Sequence, residues 1–166
     1  MPNGSWRSRS DPVIAFSGTV WRILFADQAG APTAPARAPE GRFHHSGQKA
    51  LYASLTPEGA GVAIRRYVGP QNPPRVIVPL LVTDARLADL RGRPEVSVVW
   101  QDIRATGAPA PSWAYSDAAR AEGAQGLLYS SRSRPELSHI VVFDPGPVRA
   151  EGAPPQPWPG PELTTS

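Results

Sequence analysis

Arg42 and Tyr52 stand ten residues apart around a glycine turn, in Arg42-Phe43-His44-His45-Ser46-Gly47-Gln48-Lys49-Ala50-Leu51-Tyr52, a spacing suited to chemistry on an anionic ligand. A guanidinium offers a fork of donors to phosphate oxygens. A tyrosine on the following strand offers a flat face to an aromatic base. Gly47, between them, permits close backbone approach. Far down the chain, Gly126-Leu127-Leu128-Tyr129-Ser130-Ser131-Arg132 ends a strand-like run in paired serines, whose side chains can point into a cleft. The two stretches read as halves of one anionic-nucleotide pocket. Each residue also has a plainer use: a solvated arginine at a strand start, a core tyrosine, two loop serines.

His44 and His45 are adjacent, so on a strand they would point to opposite faces. No carboxylate follows at a chelating distance, and a joint metal site is not expected; one of the two rings can face the pocket. No Gly-x-Ser-x-Gly elbow, Walker-type loop or Gly-x-Gly-x-x-Gly occurs, which removes the common hydrolase and phosphate-cradle readings.

The elements that must position these residues follow from pattern. Thr19 to Phe25 alternates as a strand, with Trp21 and Ile23 on one face. The Ala/Pro stretch Ala29 to Glu40 is a loop. Ala50 to Ser54 reads as a short strand. Thr56-Pro57-Glu58 opens a helix, with a threonine cap, proline in the first turn and an acid at the positive dipole end. Ala60, Ala63, Ile64 and Tyr67 then fall at i, i+3, i+4 and i+7, a buried stripe. Arg75 to Val82 is a β-branched strand, with Pro79 marking a bulge or an edge. Thr83 to Leu90 reads as a short capped helix ending at Gly92, Val96 to Trp100 as a strand, and residues 105–111 as a loop. Ser116 to Glu122 reads as a helix capped by Ser116 and stopped by Gly123. Leu127 to Tyr129 and His139 to Phe143 are the last strands, the second apolar and interior. Strands outnumber the short helices, so the expected class is α+β, a single domain around a small curved mixed or antiparallel sheet.

Composition sets the limits. A chain of 166 residues can bury one core. Its 21 prolines mark off residues 1–12 as a flexible N-terminus, 13–145 as the compact body and 146–166 as a Pro-rich tail. The net charge of +3 is carried almost wholly by arginine. So modest an excess argues against direct nucleic-acid binding, which uses a dense basic stripe. Zero cysteines exclude disulfides, thiolate metal sites and a cysteine nucleophile. No apolar run approaches a membrane span and no leader is visible, so a cytoplasmic protein is expected.

Taken in order, Gly18-Thr19-Val20-Trp21-Arg22, Arg42 through Tyr52, Leu51-Tyr52-Ala53-Ser54, Pro57-Glu58, Gly126 through Arg132 and Val142-Phe143-Asp144-Pro145 resemble the RES-domain toxins of bacterial toxin–antitoxin modules. The resemblance spans most of residues 18–145. It implies an ADP-ribosyltransferase-like fold and an enzyme that consumes NAD as substrate. The family's motif arginine, tyrosine and serine fall on Arg42, Tyr52 and Ser131, which would hold the diphosphate, stack on nicotinamide and bind near its ribose. His44, His45, Gly47 and Ser130 complete the implied NAD-binding set. The family contains NAD-degrading members and protein-modifying members, some acting on nucleotide-biosynthesis enzymes. It also implies a helix-turn-helix-containing antitoxin whose C-terminal part plugs the cleft, and a homodimer within that complex.

One departure stands out. The family's usual glutamate, eleven residues after the tyrosine, is Ala63 here. Glu58 cannot replace it, lying about 140° round the helix and about 7.5 Å along it. Loss of a charge-stabilising group costs on the order of 10²–10³ in rate. Hydrolysis needs that group more than transfer to a protein does, because the acceptor can bring its own base. ADP-ribosylation of a cellular protein is therefore the expected activity, with NAD glycohydrolysis and non-catalytic nucleotide binding as the alternatives.

Overall fold

The computed structural model describes residues 12–159. Its strands are β1 (Val13–Phe25), β2 (Leu51–Ser54), β3 (Arg75–Asp89), β4 (Gly126–Ser130), β5 (Ser138–Val142), β6 (Val148–Ala150) and β7 (Gln156–Trp158). Three helices join them: α1 (Pro57–Ile64), α2 (Trp100–Arg104) and α3 (Trp113–Ala121). Neighbours run β1-β2-β5-β4-β3, and β3 pairs back on β1, so the sheet curls into a closed ring. The β3–β4 pairing is parallel, and the other pairings are antiparallel. This is the expected mixed α+β domain around a small curved sheet.

Period-two alternation sorts the side chains of the central strands. Leu51, Ala53, Leu128, Ile140 and Val142 point inward, with Leu80, Val82 and Leu87 of β3. Leu127, Tyr129 and Val141 point outward, against Phe43, Val96 and Ala119 of α3. The candidate pocket lies on that second, outward face.

Two segments differ from their sequence reading. Thr83 to Leu90 is not a helix: β3 continues to Asp89, pairing with β1. The Thr83-Asp84 signal that resembles a helix cap is a β-bulge. The register slips there opposite Ser17, Asp84 takes φ 51°, and its N–H donates to the Ser17 hydroxyl at 2.8 Å. Aspartate tolerates that left-handed conformation. Val96 to Trp100 is not a strand either. Pro94–Ser97 forms a 3-10 turn that plugs Val96 into the outer core, and α2 begins at Trp100.

Elsewhere the reading needs adjustment more than replacement. In β1 the buried face is Val20, Arg22 and Leu24, and Trp21 and Ile23 are half-buried on the other side. An arginine in an inward position masks the alternation. Its Nη1 donates to the carbonyls of Pro32 and Ala34 at 2.8 and 2.6 Å, tying down the Ala/Pro loop. Burial lowers its pKa to about 10, and it stays charged. Helix α1 is capped as expected, the Thr56 hydroxyl accepting from the Gly59 N–H. Of its apolar stripe only Ala60 is buried; Ala63 and Tyr67 are exposed. Helix α3 begins three residues before Ser116, which its first turns bury, and Gly123 stops it at φ 85°. Within the Pro-rich segment from residue 146, β6 and β7 both pair with β3. Residues 1–11 and 160–166 lie outside the described residues.

Gly126 opens β4 opposite Val142, and a methyl group on it would be driven into the Val141 carbonyl oxygen and to 3.0 Å from Leu87. Gly126→Ala must therefore spread the ring where β3, β4 and β5 meet. A loss of about 3 kcal/mol is expected, the upper end of overpacking penalties. Urea unfolding of the variant against the wild type measures it, and an unchanged midpoint would contradict this packing.

Candidate active site

Arg42 is carried by a reversal in which the Gly41 N–H donates to the His44 carbonyl at 3.0 Å. Three side chains of the α3 region receive its carbonyl groups in succession. Trp113 Nε1 donates to Gly41 at 2.8 Å, the Ser112 hydroxyl to Arg42, and Arg120 to Phe43 at 2.9 Å. A buried turn needs such partners. Phe43 is fully buried beneath it, edge-on to Tyr129 with ring centroids 4.7 Å apart. Arg42 Nη1 donates to the Val98 carbonyl. Its remaining donors have no protein acceptor among the described residues and are available to a ligand.

Tyr52 holds the reversal from beneath. Its hydroxyl accepts from the Phe43 N–H at 2.9 Å and lies 2.8 Å from His44 Nδ1. His44 Nε2 lies 2.8 Å from the Ala38 carbonyl, which can only accept. In the neutral ring Nε2 therefore carries the proton, and Nδ1 accepts from Tyr52. Burial raises the Tyr52 pKa far above its ordinary value, so the phenol stays neutral. Both rings rest on Gly41: a methyl group there would sit 2.7 Å from His44 Nδ1 and 2.8 Å from the Tyr52 oxygen. Only glycine leaves them room.

The floor of the cleft, Tyr129 and His139, belongs to a row across three strands that ends in the buried Ser54 behind it. Tyr129 of β4 pairs with His139 of β5, and His139 with Ser54 of β2. The Ser54 hydroxyl lies 2.7 Å from His139 Nδ1, with both residues buried. Burial first, and the Arg42 charge second, lower the His139 pKa to about 4. Burial pushes Tyr129 up to about 12. The cleft above this row encloses about 650 Å³ and is walled by α1 with residues 65–67, by residues 97–101, and by residues 130–133.

Arg42, His44, Tyr52, Ser130 and Ser131 all line that one cleft. Ser131 is buried; its hydroxyl oxygen accepts from the Arg134 N–H at 3.2 Å, and its own proton has no acceptor among the described residues. The Ser130 hydroxyl is occupied by the Gly92 N–H at 2.9 Å. His45 and Gly47 do not line it. His45 turns the other way, stacked on Trp113 at 4.4 Å and 3.0 Å from Asp117, and Gly47 turns the chain at φ 82° beyond it. Tyr129, His139, Ser54 and Gly41 are the residues that sequence reasoning missed. The signal for His139 was a lone titratable side chain opening an otherwise apolar strand, a group that burial would leave needing a partner.

The cleft is basic. Arg42, Arg65, Arg66 and Arg132 line it beside a single carboxylate, Glu40. Arg104 grips Glu40 through two hydrogen bonds, at 2.9 and 3.1 Å, and holds it below its usual pKa. Ala63 lines the cleft on α1, where a longer acid would reach in. Glu58 does not line it and pairs with Arg134 at 3.2 Å. No free carboxylate therefore faces the cleft among the described residues.

The buried, neutral His139 makes stability depend on pH. Its folded pKa of about 4 lies below the ordinary 6.5, so on acidification the unfolded chain takes up the proton first. The stabilisation is complete above about pH 6.5 and is lost as pH falls toward 4; the difference corresponds to roughly 3 kcal/mol. Urea unfolding between pH 7.5 and 4.5 is expected to show a shallower loss in His139→Gln than in the wild type. Identical slopes would mean that this ring is not buried neutral.

Comparison with known proteins agrees with this architecture. The chain resembles a chain of the M. tuberculosis MbcT–MbcA toxin–antitoxin complex, with a TM-score of 0.61 at 18% identity, over 90% of this chain and 85% of that one. No curated protein matches it in sequence. No helix among the described residues is long and apolar enough to cross a membrane. Residues 19–161 match the RES domain, and the chain belongs to that family.

Proposed function

We propose that the chain is the toxin of a bacterial toxin–antitoxin module, acting in the cytoplasm, and that it binds NAD in this cleft and transfers ADP-ribose to a cellular protein. The observation that carries the proposal is a cleft lined by Arg42, Tyr52 and Ser131, rich in arginine and without a free carboxylate. The open donors of Arg42 suit the diphosphate, the Tyr52 ring suits nicotinamide, and the free Ser131 proton suits a ribose oxygen. His44 fixes the Tyr52 hydroxyl and needs no contact with the ligand.

In the reaction the bond from C1′ of the ribose to the nicotinamide nitrogen breaks, and nicotinamide leaves with the bonding pair. A nucleophile of the acceptor forms the new bond to C1′ and gives up its proton. The developing charge is of the oxocarbenium kind met in glycoside hydrolysis. This chain supplies position and phosphate clamping. With Ala63 on the wall, the base must come from the acceptor, and this favours transfer over hydrolysis. An enzyme of nucleotide biosynthesis is the acceptor class we favour. The ADP-ribosyltransferase type of fold is part of the same proposal, as is a helix-turn-helix antitoxin whose acidic segment fills the basic cleft, within a complex built on a toxin dimer. The resemblance to a chain of a toxin–antitoxin complex supports an antitoxin partner.

Incubation with labelled NAD and cell lysate tests the proposal. Label is expected on protein, and Arg42→Ala is expected to reduce it about a hundredfold, the scale of losing a charge-assisted phosphate clamp. Label recovered only as free ADP-ribose would establish a glycohydrolase instead. NAD binding with no turnover of either kind would leave a non-catalytic nucleotide-binding module.

A further inference from the structure

Two polar atoms on the cleft floor have no protein partner among the described residues. His139 is 5% exposed and Tyr129 7% exposed, and both line the cleft. Among the described residues the His139 ring makes one hydrogen bond, through Nδ1 to Ser54. No protein group among the described residues bonds its Nε2 or the Tyr129 hydroxyl, and neither atom is sealed in the interior. Two side chains more than nine-tenths buried, each with an unpaired polar atom on a cavity wall, form a site built for a ligand group.

The chemistry of that group follows from the proton on His139. Ser54 is 1% exposed, and among the described residues His139 is the only acceptor its hydroxyl proton has. Were Nδ1 protonated, the serine would bury a donor without a partner, and an orphaned donor is costly. The Ser54 hydroxyl therefore donates to Nδ1, and the ring proton sits on Nε2, facing the cleft. The imidazole is uncharged near neutral pH, since burial and the neighbouring Arg42 guanidinium both oppose its protonation. The phenol of Tyr129 is uncharged as well. The floor thus offers a neutral N–H donor next to a hydroxyl that can donate or accept. A phosphate would favour charged donors, which the rim arginines already supply.

We infer that His139, aligned by Ser54 and flanked by Tyr129, is a ligand-contacting residue whose Nε2–H binds an uncharged acceptor oxygen of the substrate, a carboxamide carbonyl or a ribose hydroxyl. This rests on the reading of the cleft as an NAD site and deepens it. The rim arginines take the charged middle of the dinucleotide, and the floor takes the neutral polar end. The pair is a binding device, because a ring that protonates so reluctantly is a poor general base near neutral pH.

Three measurements test it. Long-range ¹H–¹⁵N spectra of the wild-type chain read the tautomer directly: the Nε2–H form supports the assignment, and the Nδ1–H form overturns it. Calorimetric titration with NAD compares the wild type with His139→Phe and His139→Gln, whose melting curves confirm folding. His139→Phe, which keeps a ring and loses the donor, is expected to weaken binding about tenfold. His139→Gln, whose amide can present a donor near Nε2, is expected to stay within about threefold of the wild type. Repeating the wild-type titration in buffers of different ionisation enthalpy reads proton uptake. None is expected; uptake of about one proton would mean a phosphate lies against an imidazolium and would overturn the assignment. NAD binding lost in Arg42→Ala but unchanged in His139→Phe overturns the His139 assignment alone. No NAD binding by the wild type overturns the reading of the cleft, and this inference with it.

Discussion

The contact on which the site depends is that of two rings with a glycine. His44 and Tyr52 lie against Gly41 so closely that a methyl group would displace them. Because they fit, the chain can reverse at residues 41–44, and the reversal aims Arg42 into the cleft over β2. The hydroxyl of Tyr52 sits between the Phe43 N–H and His44 Nδ1, accepting from one and donating to the other. The two residues whose spacing marked the site in the sequence are therefore coupled through backbone. Arg42 and Tyr52 do not converge by accident of folding; the second builds the turn that carries the first.

That coupling relies on what lies behind it. The carbonyls at 41, 42 and 43 are each received by a side chain of the α3 region, so the reversal hangs from a helix 70 residues away in sequence. Burial on this scale is tolerable only because each carbonyl finds its donor. The ring of strands provides the other anchor. Tyr52, His139 and Tyr129 share an outward face that the pleat fixes relative to the inner core, and a slip of one residue between β2 and β5 would turn Ser54 and His139 to opposite sides. The inner core thus sets the register on which the polar floor is built.

The sequence was legible where local signals agreed with the tertiary outcome. Thr56 and Pro57 announced α1, Gly123 announced the end of α3, and Arg42, Tyr52 and Ser131, brought together by the spacing of the first two and by the family resemblance, line one cleft. It misled where one local signal serves two structures. Thr83-Asp84 caps helices well, yet the same short polar side chain tolerates the left-handed bulge that β3 requires. Ala63, Ile64 and Tyr67 keep helical spacing, but the stripe faces the cleft and not a core, a difference no periodicity encodes. His139 passed for part of an apolar strand because Ser54, its partner, is 85 residues distant. Arg22 hid the inward face of β1 in the same way, by being a buried charge satisfied through a proline-rich loop.

Charge and polarity are segregated in this cleft. The permanent cations stand at the rim and on the reversal, the one lining carboxylate is neutralised by Arg104, and the floor is polar without being charged. An alanine at position 63 fits such a division. A carboxylate there would compete with the ligand for the arginines, and it would add a negative charge to a cleft whose His139 is kept neutral by burial and by Arg42. A neutral donor held by a buried serine costs little to maintain, whereas a charge in the same place would need a permanent counterion. On the proposed reading, the cleft would select its ligand by two independent means, charge at the rim and hydrogen-bond direction at the floor, and would leave the supply of a reactive base to the acceptor.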